Sequence, residues 1–180
     1  MLFWKLPENK FLAFIPRTGS TAWGQAILDK FYPEERIRQQ RADTPNDDLA
    51  IPQYFIPNER NPIGTVMGVI RNPIERFKSG FSRAAHGKTV DEFIADMQTS
   101  KNLNIHIRPV TTQFELFKGE IKWYKYESGL ADLAKDIGLD SVPEIQNESD
   151  ENDKPLLTEE QIQKLNVIYA KDIALYNSVS

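Results

Sequence analysis

The chain has 180 residues, with 22 Lys and Arg against 26 Asp and Glu, a formal net charge of −4 and no cysteine. That length predicts one domain, 1–180, able to bury about 70% of its unfolded surface, enough for a core without covalent staples. The missing cysteines exclude a disulfide scaffold, a thiolate metal site and a cysteine nucleophile, and the mild acidity argues against a general nucleic-acid or anionic-membrane binder while leaving room for a local basic pocket.

Phe3 and Trp4 open the chain, but Lys5, Glu8, Asn9 and Lys10 break any leader core. The longest apolar run, Phe11 to Ile15, is far too short for a membrane span. A cytoplasmic protein without membrane insertion is expected. The same run, ending at Pro16, reads as a strand buried on both faces. A small polar stretch, Arg17-Thr18-Gly19-Ser20-Thr21, follows it. Trp23, Ala26, Ile27 and Phe31 then recur at helical spacing until Pro33. Residues 34–62 are polar and carry Pro45, Pro52, Pro57 and Pro62, which predicts loop with one short helix.

Thr65 to Ile70 is a second buried strand. It runs into Asn72, placed to cap a helix that begins at Pro73, with Glu75 as the capping-box partner. Ile74, Phe77, Phe81 and Ala84 share one face of that helix, and Arg76, Ser79 and Arg83 another. A short helix is expected from Thr89 or Val90 to Met97. Ile121 to Tyr126 is a third strand, rich in residues that suit one. A helix from Leu130 stops at Gly138. Residues 140–155 read as a solvated acidic loop. One last helix starts at Thr158, with Gln161 as its capping partner and Ile162, Leu165, Ile168, Tyr169 and Tyr176 as its buried stripe. Strands alternating with helices imply an α/β fold with a mainly parallel sheet flanked by helices.

Charge is polarised. Between Arg71 and Lys88 there are five basic residues against Glu75 alone, and between Asp140 and Glu160 eight acids against Lys154. Such runs are ordinarily solvated surface. The basic run, however, starts where an apolar strand ends, and in open α/β sheets ligands bind there.

Two segments carry chemistry. In Pro16-Arg17-Thr18-Gly19-Ser20-Thr21, backbone N–H groups at a helix start can hold a phosphate. Gly19 permits close approach, and the hydroxyls and Arg17 add donors and charge. It is not a Walker A loop, because no Lys follows Gly24. A plain helix cap would need only one of those hydroxyls. In Arg71-Asn72-Pro73-Ile74-Glu75-Arg76-Phe77-Lys78-Ser79, a strand-end guanidinium and a hydroxyl two turns on can converge on one phosphate. An amphipathic helix with exposed arginines would look the same.

Together the two segments resemble the sulfotransferases that use 3′-phosphoadenosine 5′-phosphosulfate (PAPS). Those enzymes carry P-[KR]-[ST]-[GA]-[ST]-T for the 5′-phosphosulfate and R-[DN]-P-x-x-R-x-x-S for the 3′-phosphate. Tyr126-Glu127 is similar to the family's Y-E pair. The stretch from Leu157 to Tyr176 resembles the last helix of the carbohydrate-type branch, and His106-Ile107-Arg108-Pro109 with Gln113 its H-x-x-P segment. This chain would be a minimal-size member.

The resemblance implies a P-loop-like three-layer fold and transfer of a sulfonate group from PAPS to an acceptor hydroxyl, with carbohydrate as the branch's acceptor class. The remaining product would be 3′,5′-adenosine bisphosphate, and no metal is implied. Thr18, Gly19, Ser20 and Thr21 would hold the 5′-phosphate, Arg71 and Ser79 the 3′-phosphate, and Tyr126 would lie near the adenine. Ser79 would also bias the Arg17 side chain. Arg17 stands where most members have Lys. It can stabilise the departing oxygen but not protonate it, and tyrosylprotein sulfotransferases share this Arg. For the base that takes the acceptor proton, His106 competes with Glu34, Glu35 and Glu59. His86 reads as a helix-end or pocket-rim residue. Trp23 and Trp123 could stack on sugar rings but are more simply core. Two other readings fit the same residues. One is a small-molecule kinase, which the missing Walker Lys opposes. The other is a non-catalytic nucleotide-binding module.

Overall fold

A computed structural model of the chain describes residues 2–41, 56–100, 103–144 and 154–180, apart from the side chains of residues 39–41, 82 and 83. Its strands are β1 (Phe3–Leu6), β2 (Lys10–Ala13), β3 (Asn58–Glu59), β4 (Thr65–Ile70) and β5 (Ile121–Lys125), in the sheet order β3-β1-β2-β4-β5. The helices are α1 (Ser20–Phe31), α2 (Pro33–Arg41), α3 (Pro73–Ala84), α4 (Val90–Thr99), α5 (Val110–Gln113), α6 (Leu130–Ile137), α7 (Glu159–Ile168) and α8 (Ala170–Ser178).

The α/β class holds, but the sheet is mixed rather than mainly parallel. β2 pairs parallel with β4 and β4 with β5, whereas β1 pairs antiparallel with both β2 and β3. The N-terminal arm makes the difference. Phe3, Trp4 and Leu6 are buried and Lys5 is exposed, so the arm is a strand with one solvated position. The turn Pro7–Asn9, with Glu8 and Asn9 at φ 59° and 54°, folds it back onto β2. Four residues make too short a pattern to separate a strand from a loose arm.

The central strands are apolar on both faces because both are covered. On one face Leu12, Met67 and Val69 meet Trp23, Ile27 and Leu28 of α1 and Leu133 and Ile137 of α6. On the other, Phe11, Ala13 and Val66 meet Val110 and Phe114. A further cluster joins Phe77 of α3, Phe93 and Met97 of α4, and Leu165 and Tyr169. Trp23 is core as expected. Trp123 packs edge-on against Phe114, with ring centroids 5.5 Å apart.

Several helix ends match their sequence signals. Thr158 with Gln161, and Thr89 with Glu92, form capping boxes. Gly138 closes α6 at φ 84°. Pro33 does more than stop α1, because it opens α2, where its missing N–H costs nothing. The expected loop over 34–62 therefore contains α2 and β3, while 42–55 lie outside the described residues. The expected last helix is two helices, broken at Tyr169 (φ −97°, ψ 16°). Its inward row is Gln161, Leu165, Tyr169 and Asp172, with Tyr176 only half-buried. Among the described residues, no helix is long and apolar enough to cross a membrane.

Gly68 sits opposite Trp123 in the parallel ladder. A Cβ there would lie 2.7 Å from the indole and 3.2 Å from the Ile121 methyl. Gly68→Ala is therefore expected to destabilise the fold by about 1–3 kcal/mol through overpacking. Urea unfolding checks this, and a wild-type midpoint would mean that Trp123 is not seated there.

Candidate functional site

β2, β4 and β5 point the same way, so their C-terminal ends form one rim of the sheet. The chain leaves β2 into the 16–19 turn, β4 into Arg71-Asn72, and β5 into Tyr126-Glu127. This is the end of an α/β sheet at which ligands bind.

The first turn is built from alternating backbone hands. Arg17 lies at φ 69° and Gly19 at φ 75°. A left-handed Arg is unfavourable by about 1–2 kcal/mol, so the surrounding structure must hold it there. The Thr18 side chain does part of this. Its hydroxyl donates to the Ile15 carbonyl (2.7 Å) and the residue is buried. Thr18 can therefore offer a ligand its backbone more readily than its hydroxyl proton. Gly19 is the N-cap of α1 and has no side chain with which to cap it. The first N–H groups of a helix have no intrahelical acceptor. Ser20 is half-buried and Thr21 exposed at this opening.

The second motif meets the first. Arg17 donates through Nε (3.0 Å) and Nη2 (2.7 Å) to Ser79 Oγ on α3. Arg71 donates from Nη1 to the Arg17 carbonyl (3.3 Å) and lies over the Tyr126 ring, 4.7 Å from its centroid. Arg17, Ser79, Arg71 and Tyr126 are thus one constellation. Asn72 caps α3, accepting from the N–H groups of Ile74 (3.0 Å) and Glu75 (3.3 Å). The predicted Glu75 half of a capping box is replaced. Glu75 pairs with Lys78, and the Asn72 N–H donates instead to Glu127 Oε1 (3.0 Å). Tyr176 of α8 donates to the other Glu127 oxygen (3.2 Å). Glu127 thereby joins the end of β5 to the start of α3 and to Tyr176 near the C-terminal end of α8.

His106 sits in the turn before α5, half-buried. Its carbonyl lies against Gly80, where a Cβ would come within 2.8 Å of it. Gly80 directly follows Ser79, so the His106 backbone passes beside the second motif. The three carboxylates are placed differently. Glu34 and Glu35 open α2, beyond the 12 residues of α1, which span about 18 Å from the Arg17 turn. Glu35 is also held by Arg38. Glu59 lies in β3, two strands away from β2, and pairs with Lys5 at 3.7 Å. Of the four proposed bases, His106 alone lies beside the constellation. His86 follows α3 in an exposed turn at φ 48°, as a helix-end residue. The Arg83 side chain lies outside the described residues.

Sequence reasoning assigned no role to Arg76, which is 1% exposed. Its guanidinium donates to the carbonyls of Pro16 (3.3 Å), Arg108 (3.0 Å) and Ile105 (3.3 Å). Burial pushes its pKa down, opposed by Tyr169 and Asp172 and assisted by Arg71. Tyr169 and Asp172 were missed as site-shaping groups too. Tyr169 donates to the Ile107 carbonyl. Asp172, also 1% exposed, accepts from the N–H groups of Val110 (2.6 Å) and Thr111 (2.8 Å). The four-four-three spacing from Gln161 to Asp172 was the available signal, since it puts an acid on a core face.

A separate groove of about 550 Å³ lies between α4, the 103–112 segment and α7, lined in part by Met97, Leu103, Arg108 and Val167. No residue of the constellation lines it, so the two are distinct features. Compared with family models, curated proteins and solved structures, the chain matches none.

Asn72 rather than Glu75 secures the start of α3. Asn72→Ala is expected to destabilise the protein by about 1 kcal/mol, and Glu75→Ala by less than about 0.5 kcal/mol. Thermal and urea unfolding check this. Equal losses would restore Glu75 as the capping partner.

Proposed function

We propose that the chain is a PAPS-dependent sulfotransferase acting on a hydroxyl acceptor, with a carbohydrate as the acceptor class. The carrying observation is the meeting of the two motifs, with Arg17 on Ser79 and Arg71 on the Arg17 carbonyl and the Tyr126 ring. The helices on both sheet faces suit a P-loop-like three-layer fold, proposed with it. In this reading the 17–21 turn holds the 5′-phosphosulfate with backbone N–H groups and the Ser20 and Thr21 hydroxyls. Arg71 and Ser79 hold the 3′-phosphate, and Tyr126 flanks the adenine.

The acceptor oxygen attacks sulfur in line. The bond from sulfur to the 5′-phosphate oxygen breaks, and its electron pair stays on the phosphate. The acceptor's proton passes to a base, a role this reading gives to His106, whose backbone passes beside Gly80. Arg17 stabilises the charge that gathers on the bridging oxygen. Its present hold on Ser79 keeps the guanidinium near both phosphates before any acceptor arrives.

Calorimetric titration with 3′,5′-adenosine bisphosphate, beside ATP with Mg²⁺, tests the reading. Bisphosphate binding in the micromolar range, with ATP much weaker, is expected. Arg71→Ala should weaken it by about 2–4 kcal/mol, the loss of a charge-assisted phosphate contact. Lys88→Ala, whose partner is the exposed Asp96, should leave it unchanged. A preference for ATP, or equal small effects of the two substitutions, would defeat the proposal.

A further inference from the structure

We propose that Arg76 is a positioning residue, whose buried guanidinium ties the Arg17 turn to the His106 segment so that nucleotide binding at the first sets the second. The proposal rests on the nucleotide reading above for its ligand, but its geometry stands apart from it.

A guanidinium removed from water is costly unless every N–H finds an acceptor. A purely structural core would be served as well by an apolar side chain of similar size. Here the acceptors are backbone carbonyls of two segments far apart in sequence, Pro16 beside Arg17 and Ile105 and Arg108 on either side of His106. The His106 segment is also held by the C-terminal helices. Tyr169 donates to the Ile107 carbonyl, and Asp172 accepts from Val110, Thr111 and the Thr111 hydroxyl. Gln113 donates to the Arg108 carbonyl (3.0 Å), which Arg76 also uses. Between Ile105 and Thr111, the backbone is thus held by Arg76 of α3, Gln113 of α5, Tyr169 at the α7–α8 junction and Asp172 of α8, beside the local Asn104 bond to the His106 N–H. The one held point outside that segment is Pro16, and α3 carries both Arg76 and Ser79. A ligand that shifts the Arg17 turn or Ser79 therefore acts on the same rigid helix that sets the carbonyls next to His106.

The test uses the full chain, with 3′,5′-adenosine bisphosphate as the probe. The sequence has two histidines, so His86 serves as an internal reference for the His106 ring signals in NMR spectra. In the wild type, the bisphosphate is expected to move the His106 signals and to slow amide exchange at Ile107, Arg108, Val110 and Thr111. Arg76→Lys keeps the charge but cannot reach three carbonyls at once. It should abolish the His106 response and raise exchange at those amides about tenfold, with β4 and α4 unchanged and the bisphosphate affinity within about threefold. Tyr169→Phe removes a separate hydrogen bond to the same segment, at the Ile107 carbonyl, and should raise the same exchange rates. It decides the matter if Arg76→Lys does not fold.

A His106 response that survives in Arg76→Lys would overturn the proposal. So would exchange that is unchanged at Ile107 to Thr111, or raised equally throughout the chain. If the wild type fails to bind bisphosphate, the nucleotide reading falls by itself. The exchange rates of the ligand-free variants then decide whether the clamp sets the His106 segment.

Discussion

The desolvated guanidinium of Arg76 is the constraint around which the rim of the sheet is arranged. Five N–H donors in a fixed plane cannot be left without acceptors in a core. Carbonyls must turn inward to meet them, and a chain that turns its carbonyls inward is no longer a free loop. Ile105 and Arg108 each turn a carbonyl to it, one to each terminal nitrogen, and Pro16 supplies the acceptor for Nε. The same segment's N–H groups then need their own partners. Asp172 provides them at Val110 and Thr111, which is why an acid stands on the buried face of the C-terminal helices. Gly80 completes the arrangement by leaving room for the His106 carbonyl against α3.

Three strand ends converge for a related reason. Parallel strands bring their C-terminal loops to one side, and each loop here feeds a helix. The polar groups at those junctions are shared between neighbours rather than satisfied locally. Asn72 caps its own helix, but its N–H is taken by Glu127 of the next junction, and Glu127 also receives Tyr176. Arg71 leans on Tyr126 and on the Arg17 carbonyl, so all three junctions touch. In the proposed reading, groups held by their neighbours in this way would lose little freedom when a ligand arrives, the energetic advantage of a preformed site.

The parts legible in the sequence were those with local signals. Thr65 to Ile70 reads as a buried strand from its mostly apolar side chains, and Asn72-Pro73 starts a helix by its own chemistry. The boundaries of β4 and α3 follow directly. The two phosphate-type segments were visible because their spacing is specific. What stayed hidden depends on contacts distant in sequence. β1 is a strand only because β2 and β3 flank it. Glu75 and Glu127 offer the Asn72 N–H the same carboxylate, and only the approach of β5 decides between them. Arg76 looks like any basic residue on an amphipathic helix until the 105–108 carbonyls close over it. Asp172 likewise gains its role from a segment about 60 residues earlier in the chain.

The choice of Arg at position 17 is consistent with the proposed chemistry. In sulfonate transfer from PAPS the leaving group is a phosphate oxygen, and the second ionisation of a phosphate monoester lies at about pH 6. At neutral pH such a group departs as a stable dianion and needs no proton from the enzyme. The requirement is for fixed positive charge and directed N–H donors at the bridging oxygen, which a guanidinium meets with a planar fork. The left-handed backbone at Arg17 and the paired bonds to Ser79 restrict where that fork can point. The proton that does need a destination is the acceptor's, on the opposite side of the sulfur. The in-line geometry therefore asks for a base on a different element from the phosphate turn. In the proposed reading that element is the 105–108 segment, bonded through Arg76 to Pro16 beside the turn, and His106 is the base it would supply.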